Sequence, residues 1–309
     1  MTLQRKVAVA QTSPVPGDTA ATVVKLVEWA GKAASEGARL IVFPEAFIGG
    51  YPKGVSFGIA VGKKTPEGRE EFRQYFDSAI DVPGSETQLI AEAAGHLNVH
   101  IVVGVIERDG GTLYCTALFF SPGGTLLGKH RKLMPTAGER YIWGFGDGST
   151  LPVFDSELGK IGAVICWENY MPMLRMAMYA KGIQIYCAPT ADDRPYWIPS
   201  MQHIAVEGRC FVLSACQYLR RNELPSNLCN AITDDPDVVL MRGGSVIIDP
   251  FGKILAGPVF DDNAILYAEL DLAEISRGKF DLDVVGHYSR PDVFQLSVNE
   301  VPLAAVTTK

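Results

Sequence analysis

The sequence predicts an α/β protein in which two mixed β-sheets pack face to face and helices cover their outer sides. Apolar strand-like segments alternate with amphipathic helical segments along most of the 309 residues, a pattern typical of sheets covered by helices. Residues 119–128 and 246–255 share an apolar strand, a turn with Pro and Gly, and a second apolar strand, which indicates two similar halves. No low-complexity linker divides the chain, so we expect a single domain over 1–309, with a core at about 6–270 and a C-terminal tail at 271–309.

The elements of the first half follow from the spacing of apolar residues. Asp18 is a candidate N-cap for a helix to about residue 36, whose apolar positions recur at helical spacing. Ser85 is a candidate N-cap for a second amphipathic helix over 84–98. Strands are expected at 6–11, 39–45 and 99–107, and as a pair around a Pro-Gly-Gly turn within 112–132.

The second half repeats this alternation. The strand-like run 161–166 leads into a helix that we expect to begin near Tyr170, with Pro172 in its first turn, and to end near Gly182. A further helix is expected from about residue 196 to 208. The remaining strands are predicted at 183–189 and 210–216, as a strand–turn–strand unit within 244–256, and at 264–271.

Composition restricts the class of function. Charged residues make up 20% of the chain and the formal net charge is -7, so a broad basic face for nucleic acid is not expected. No apolar run approaches the roughly 18 residues of a membrane helix, and the apolar stretch 7–10 is too short for a signal peptide. We therefore expect a cytoplasmic protein without membrane or nucleic-acid partners.

The six cysteines lack metal-binding spacing. No pair is separated as C-x-x-C, and no histidine lies near a cysteine pair in zinc-like order. Reduced thiols are expected in a large chain without an export signal. Cys187, Cys210 and Cys216 lie in apolar runs and are interpreted as small core residues. We expect no metal site.

The segment KIGAVICWENYMPMLR, residues 160–175, raises two interpretations of Cys166. One is a structural core thiol in an ordinary strand-to-helix turn, which is the common environment of cysteine. The other is a nucleophile, because the positive end of a following helix and a nearby ammonium group would lower the pKa of the thiol, and the thiolate is the reactive form. This segment alone leaves both open.

Two more polar residues end predicted strands. Glu45 follows LIVFP, and a carboxylate in such surroundings needs a partner or a raised pKa, which suits a general base. Lys132 ends LLGKHRK, and a lysine in a partly dry site would stabilise a developing anion. The alternatives are a capping or surface glutamate and a solvated strand end. With Cys166 they give an acid, an amine and a thiol at three strand ends, where function concentrates.

Nearby charged residues have several candidate roles. Glu139 lies seven residues after Lys132, where it would pair with Lys132 or Arg140, orient a substrate, or remain on the surface. Glu168 and Arg175 are expected to form a structural ion pair around the Cys166 turn.

Two further groups of residues bear on the chemistry. His130, His203 and His287 are the bases that a Cys-His enzyme would use, but none lies beside an obvious Asn or Asp that would orient it, so this pairing is less favoured. Aromatic residues in the motif loops would line an apolar pocket or pack the loops, namely Tyr51, Phe57, Tyr141, Trp143 and Trp167.

Three segments together resemble the signature segments of the nitrilase branch of the carbon-nitrogen hydrolase superfamily. They are FPEAFIGGYPKG, HRKLMPTAGERYIWGFGDG and CWENYMPMLR, and their order and spacing agree with that family. VVGHYSRPDVF, residues 284–294, resembles the tail motif of the branch. The likeness runs from about residue 6 to 294, and the segments are far more specific together than singly.

The resemblance implies a four-layer αββα sandwich and a Glu45–Lys132–Cys166 triad with Glu139 as a second, supporting glutamate. It implies hydrolysis of an organic nitrile to the carboxylic acid and ammonia, through a thioimidate and a thioester on Cys166, without metal or organic cofactor. Trp167, Tyr51 and Tyr141 are the candidate substrate contacts. The partners expected are a small nitrile and further copies of the chain. The copies would form a dimer or a larger assembly, of which a spiral is one form.

Three other functions remain open at the level of sequence. An amidase or carbamoylase of the same superfamily would use the same residues on a substrate that already carries a carbonyl group. A non-catalytic assembly protein would keep the fold without turnover, so that Cys166→Ala would have no effect. A papain-like hydrolase would lose activity when one histidine is replaced and keep it in Lys132→Ala.

Overall fold

Two mixed β-sheets form the centre of the molecule in the computed structural model, which describes residues 5–225, 231–304 and 306. Each sheet has seven strands within these described residues. In chain order the strands are β1 (Lys6–Gln11), β2 (Leu40–Val42), β3 (Ile80–Asp81), β4 (His100–Asp109), β5 (Thr112–Phe120), β6 (Leu126–Arg131), β7 (Val153–Phe154), β8 (Ile161–Ala163), β9 (Ile185–Thr190), β10 (Phe211–Cys216), β11 (Tyr218–Arg220), β12 (Val239–Ile248), β13 (Ile254–Phe260) and β14 (Ala264–Glu269).

The strand order explains why residues distant in sequence meet. The first sheet has the order β14-β1-β2-β4-β5-β6, with β3 beside β4. The second has the order β11-β12-β10-β9-β8-β7, with β13 beside β12. β1, β2 and β4 are parallel neighbours, as are β8, β9 and β10. The central strands of each sheet therefore end on the same side.

Alternation of side chains along the strands builds the layers. Val7 and Val9 of β1 point into the core between the sheets, where Cys187 of β9 also lies. Ala8 and Ala10 point to the opposite face, against apolar residues of the first helix. The helices are α1 (Thr19–Ser35), α2 (Pro66–Ser78), α3 (Ser85–Leu97), α4 (Pro172–Ala180), α5 (Trp197–Gly208) and α6 (Ala273–Asp281). Helices α1 and α3 cover the first sheet and α4 and α5 the second, so the predicted four-layer αββα sandwich is confirmed.

The predicted helix starts are right at α1 and wrong at α3 and α4. The carboxylate of Asp18 accepts a hydrogen bond from the Ala21 N–H at 2.8 Å and caps α1. At α3 the N-cap is Gly84, because the Thr87 hydroxyl at the third helical position accepts from its N–H at 2.8 Å. Helix α4 begins at Pro172 rather than near Tyr170, because residues 166–170 form a tighter 3₁₀ turn before it.

The two repeated segments fold as expected. Residues 119–128 span the turn between antiparallel β5 and β6, and residues 246–255 span the turn between antiparallel β12 and β13. In the second turn the Asp249 N–H donates to the Lys253 carbonyl at 2.9 Å. Each sheet therefore carries one such hairpin.

The three cysteines assigned to the core are buried. Cys187, Cys210 and Cys216 each have 0% of their surface exposed. Cys229 lies outside the described residues. Among the helices that are described, none combines the length and apolar character needed to cross a lipid bilayer.

The end of the chain folds back on the body of the molecule. Beyond α6 it forms no helix or strand over the described residues 282–304, and most of it is exposed. Glu300 forms an ion pair with Lys181 at 2.5 Å, and the Leu303 N–H donates to the Asp147 carboxylate at 2.8 Å. These contacts attach the tail beside the loop that follows Trp143.

Candidate active site

Three predicted residues lie just beyond strand ends and meet at the edge of the two sheets. Glu45 follows β2, Lys132 follows β6 and Cys166 follows β8. The Lys132 ammonium nitrogen lies 2.6 Å from Glu45 Oε1 and 2.8 Å from Glu139 Oε2. The Cys166 thiol is buried close enough to the Glu45 carboxylate and the Lys132 ammonium group for both charges to act on its pKa. The structure thus brings all four predicted catalytic residues into one buried cluster.

Glu45 is placed by a close approach of two backbone segments. A Cβ atom on Gly104 would lie 2.4 Å from the Pro44 carbonyl oxygen and 2.6 Å from the Glu45 Cα. Only glycine at this position of β4 allows the turn that carries Glu45 to pack so closely. The Gln217 side-chain amide also donates to the Glu45 carbonyl at 2.7 Å. The carboxylate is therefore fixed by its backbone before any charge interaction is considered.

The Glu45 carboxylate has the character of a base. Its exposure is 0%, and this burial raises its pKa above the usual 4.5 although Lys132 opposes the shift. Glu139 adds to the rise. Of its two oxygens, Oε1 accepts from Lys132, whereas Oε2 accepts no hydrogen bond of ordinary geometry from the described residues. Oε2 is free to take a proton.

Lys132 is a buried cation held between carboxylates. Its N–H continues the pairing of β6 by donating to the Cys115 carbonyl at 2.8 Å, which directs the side chain inward. Burial alone would lower its pKa, but the negative charge of Glu45 and its neighbours raises the pKa well above the usual value. The ammonium group lies 5.5 Å from the centre of the Trp143 ring, a cation–π distance. Lys132 therefore stays charged at neutral pH.

Cys166 occupies a strained turn. Its φ is +49°, in the left-handed region that a residue other than glycine rarely adopts. The Asn169 amide holds this turn by donating to the Cys166 carbonyl at 2.7 Å and the Val164 carbonyl at 3.0 Å. The Thr190 hydroxyl donates to the sulfur at 3.2 Å. Such strain persists only where surrounding contacts fix it, which is common at functional sites.

The expected activation of the Cys166 thiol by a helix end is wrong. The sulfur lies in the 3₁₀ turn, and α4 begins six residues later in the sequence, at Pro172. Burial and the negative charge of Glu45 raise the pKa of the thiol, and these outweigh the opposing effect of Lys132. The resting group is a thiol, so attack requires a base that removes its proton.

Glu139 holds several groups of the cluster in place. One oxygen accepts from Lys132 and from the Thr136 N–H at 2.6 Å. The other accepts from the Tyr51 hydroxyl at 2.7 Å. Both oxygens are therefore occupied, which leaves this carboxylate less suited than Glu45 to accept a proton.

The three candidate substrate contacts have different exposures. Tyr51 is half-buried and packs edge-on against Trp143. Trp167 has 37% of its surface exposed, and its indole N–H donates to Asp192 at 2.7 Å. Tyr141 has 62% of its surface exposed. Their role in substrate binding remains a prediction. Phe57 and Trp143 are buried and pack within the core between the sheets.

Two expectations about charged neighbours need correction or qualification. The predicted ion pair between Glu168 and Arg175 does not form, because Arg175 pairs with Glu207 at 2.8 Å and Glu168 faces His130 at 2.9 Å. From α4 the Arg175 guanidinium reaches Glu207 of α5, and it contacts the turn through the Asn169 carbonyl, to which it donates at 2.8 Å, rather than through Glu168. His203 and His287 are exposed.

Sequence reasoning missed four residues that contact the cluster. Cys115 donates from its thiol to Glu45 Oε1 at 3.5 Å, Thr190 bonds the sulfur of Cys166, and Gln217 and Asn169 fix backbone turns. Thr190 ends β9, so the strand-end rule that found Cys166 would also have found it. Cys115 lies inside β5 and carries no such signal.

A separate cavity of about 140 Å³ lies beside Tyr51. It is lined by this tyrosine, by the loop at Gly49 and Gly50, and by Tyr75 of α2. The lining excludes Glu45, Lys132 and Cys166. Among the described residues, no group of three or more His, Cys, Asp or Glu side chains is arranged to hold a metal ion.

Comparison with protein families identifies the fold and its class. The carbon-nitrogen hydrolase family model matches residues 6–280. The chain belongs to the carbon-nitrogen hydrolase family. Solved structures agree with this membership: an amidase from Nesterenkonia sp. superposes with a TM-score of 0.66 over 90% of this chain and 95% of its own, at 19% identity. At that identity the likeness concerns the fold.

Curated relatives within the carbon-nitrogen hydrolase family are far more similar. Nitrilase blr3397 of Bradyrhizobium diazoefficiens is 62% identical over 98% of this chain and 94% of its own length. An aliphatic nitrilase of Sinorhizobium fredii is 60% identical over 98% of each chain. Nitrilase 3 of Arabidopsis thaliana is 59% identical over 98% of this chain and 89% of its own. The resemblance to the nitrilase branch is thereby confirmed.

Proposed function

We propose that this protein is a nitrilase that converts an organic nitrile to its carboxylic acid and ammonia through covalent attachment to Cys166. The observation that carries this proposal is the burial of the Cys166 thiol near Glu45, whose Oε2 accepts no hydrogen bond from the described residues, beside the Lys132 cation that Glu45 and Glu139 hold. Membership of the nitrilase branch supports the choice of a nitrile as substrate.

The first step forms a carbon–sulfur bond. Glu45 takes the thiol proton as the sulfur attacks the nitrile carbon, because the raised pKa of the thiol prevents a free thiolate from accumulating. One electron pair of the carbon–nitrogen triple bond moves to nitrogen. The Lys132 ammonium group stabilises that charge and supplies a proton, giving a thioimidate. Glu45 returns its proton to Lys132 through their 2.6 Å contact.

Two waters complete the reaction. Glu45 removes a proton from the first water as it adds to the thioimidate carbon, and both protons of that water pass to the nitrogen through Glu45 and Lys132. The carbon–nitrogen bond then breaks, so that ammonia leaves and a thioester remains. The second water adds to the thioester in the same way and displaces the Cys166 sulfur, which recovers its proton. The balance is one nitrile and two waters to one carboxylic acid and one ammonia. The covalent intermediate divides one difficult hydrolysis into easier steps.

Glu139 acts through Lys132 rather than on the substrate. Its carboxylate accepts from Lys132, Thr136 and Tyr51, so it fixes the direction of the ammonium group. It also compensates the buried positive charge when Glu45 is protonated during the reaction. We therefore assign Glu139 a positioning role, and Trp167, Tyr51 and Tyr141 the contacts with the organic part of the nitrile.

A panel of aliphatic, aromatic and arylaceto-nitriles, with ammonia, acid and amide measured together, tests this function. Wild type should release ammonia and acid from at least one nitrile class, and Cys166→Ala should lose at least about 10⁴-fold in kcat. Cys210→Ala is the matched control, because that cysteine is equally buried and packs on the outer face of the second sheet. Turnover of amides alone would show an amidase instead, and no turnover by wild type would favour a non-catalytic protein.

A cytoplasmic location and a homo-oligomer, a dimer or larger, belong to the same proposal. The cysteines described by the structure are all free, which suits a reducing compartment. Light scattering of the purified chain measures the assembly directly.

A further inference from the structure

A second buried pair lies behind the catalytic cluster and joins the two sheets. The ring nitrogen Nε2 of His130 lies 2.9 Å from Glu168 Oε2, and both side chains have 0% exposure. His130 belongs to β6 of the first sheet, two residues before Lys132, and so shares its side of the strand. Glu168 belongs to the turn that follows β8 of the second sheet, two residues after Cys166.

The contacts of His130 require a charged ring. Its other nitrogen, Nδ1, lies 2.6 Å from the Thr150 carbonyl oxygen, which can only accept a hydrogen bond. Glu168 accepts two backbone N–H donors in addition to the ring, as an ionised carboxylate does. Both ring nitrogens therefore donate, and the pair is an imidazolium and a carboxylate. The effect of Glu168 on the pKa of His130, which is raised in spite of burial, agrees with this geometry.

Glu168 connects the backbone of the nucleophile to the backbone of the lysine. Its Oε1 accepts from the Leu133 N–H at 2.5 Å, one residue after Lys132. Its Oε2 accepts from the Ile165 N–H at 2.9 Å, one residue before Cys166. A single carboxylate thus sets the separation of the two chain segments that carry Lys132 and Cys166.

We propose that His130 and Glu168 are positioning residues for nitrile hydrolysis, and that this charged pair fixes the Cys166 sulfur relative to Lys132 across the gap between the sheets. Neither residue touches the reacting atoms. The proposal rests on the proposed function, since it assigns what the pair does for that reaction. Displacement of a reacting group by about 1 Å costs roughly 10²-fold in rate, so loosening the pair should reduce kcat.

Substitution of either partner tests the proposal. His130→Gln keeps one donor and loses the charge, and Glu168→Asp keeps the charge and is too short to reach both N–H groups. Each should lower kcat by about 10- to 100-fold and change KM by less than about threefold. Alkylation of Cys166 by iodoacetamide, followed on the peptide that contains it, should slow as well, and this readout needs no nitrile turnover.

The control must separate positioning from loss of stability. Glu107→Gln removes a carboxylate that is 1% exposed and pairs with Arg131 on the same strand, β6. Its contacts lie away from Lys132 and Cys166, so we expect a comparable fall in melting temperature and kcat within about twofold of wild type. An equal loss of kcat in Glu107→Gln would overturn the positioning role, as would full kcat in folded His130→Gln or Glu168→Asp.

Two further measurements decide the question if a single variant fails to fold. The double variant His130→Leu/Glu168→Gln removes both charges together, which avoids an unpaired buried charge. It should fold and remain slow, and wild-type kcat would contradict the proposal. The second measurement uses a variant that keeps His130 and has the other four histidines replaced by glutamine. Nitrogen NMR of this variant should show both His130 ring nitrogens protonated at pH 7. A neutral ring would contradict the charged pair, whereas absence of turnover in wild type would refute the proposed function instead.

Discussion

At the scale of single residues, the site depends on the proton affinity of Glu45. Burial makes this carboxylate more basic and the Cys166 thiol less acidic. Both shifts come mainly from loss of water around the groups, and the apolar run before Glu45 indicated this for Glu45 alone. The identities of Glu45, Lys132 and Cys166 could be predicted because each stands at the end of a predicted strand. The direction of the pKa shift at Cys166 could not, because it depends on burial between the sheets and on the charge of Glu45, more than a hundred residues away in the chain.

The acidic limb of the pH–rate profile should report Glu45. Because burial raises its pKa above 4.5, the base form is lost at a higher pH than for a solvated glutamate. We expect kcat/KM to fall as the pH decreases through that raised pKa, with the limb centred above pH 4.5. Measurement of kcat/KM across the acidic range tests this, and a limb at or below pH 4.5 would contradict it.

Replacement of Cys115 should move that limb. Its thiol donates weakly to Glu45 Oε1 at 3.5 Å, and a hydroxyl in Cys115→Ser would donate more strongly and favour the ionised carboxylate. The limb should move to lower pH by about half a unit, equivalent to about 0.7 kcal/mol. Cys115→Ala removes the donor and should move it the other way. Two variants with unchanged limbs would show that Glu45 is not the titrating base.

Gly104 offers a test of the backbone that carries Glu45. A Cβ in Gly104→Ala would overlap the Pro44 carbonyl and the Glu45 Cα, at 2.4 and 2.6 Å. The turn must shift, and kcat should fall by about 10²-fold. Gly111→Ala is the control, because no atom of the described residues lies within 4 Å of its added Cβ. Normal activity in folded Gly104→Ala would mean that the position of Glu45 is not set by this contact.

At the scale of elements, strand β6 serves two purposes on its two faces. One face carries His130 toward the second sheet and leads to Lys132. The other carries Lys129 and Arg131, which both pair with the buried carboxylate of Glu107 on β4. The alternation of side chains along a strand separates the catalytic face from a face that contributes to stability.

The Glu107 pairs should stabilise the fold in a pH-dependent way. Hydrogen bonds from Arg131 and Lys129 outweigh burial and lower the pKa of Glu107 below 4.5. Since the folded-state pKa is depressed, the stabilisation is fully present above pH 4.5 and is lost as the pH falls through the folded value. Glu107→Gln should lower the free energy of unfolding by about 2 kcal/mol at neutral pH. Urea unfolding should show that the difference in free energy of unfolding between wild type and Glu107→Gln becomes smaller at lower pH. A difference that stays constant with pH would contradict the linkage.

Helix α2 shows where an element escapes prediction. Its segment, PEGREEFRQYFDS, is mostly polar, so apolar spacing gave no signal between the loop of Glu45 and the next strand. A capping signal was nevertheless present, because Thr65 accepts from the Gly68 N–H at 3.0 Å and Pro66 occupies the first helical position. Apolar periodicity alone misses a helix such as α2, which packs against the core only through the partly buried Phe72, Tyr75 and Phe76.

At the scale of the whole molecule, the packing of two sheets creates the site. Glu45 and Lys132 follow strands of the first sheet, and Cys166 follows a strand of the second. Alternating apolar segments predict the two sheets, because each strand buries alternate residues in a core that the other sheet completes. The pair of His130 and Glu168 was not predicted, since its partners meet only when the sheets are stacked. Sequence analysis instead predicted an ion pair between Glu168 and Arg175, which lie close together in the chain.

Capture of the covalent intermediate tests the central claim most directly. Wild type mixed with a nitrile substrate and quenched in acid within one turnover should carry a thioimidate or a thioester of that substrate, told apart by mass, on the peptide that contains Cys166. Cys166→Ala should carry none, and Cys210→Ala should match wild type. Turnover without any adduct on Cys166, or an adduct on another cysteine, would contradict the account.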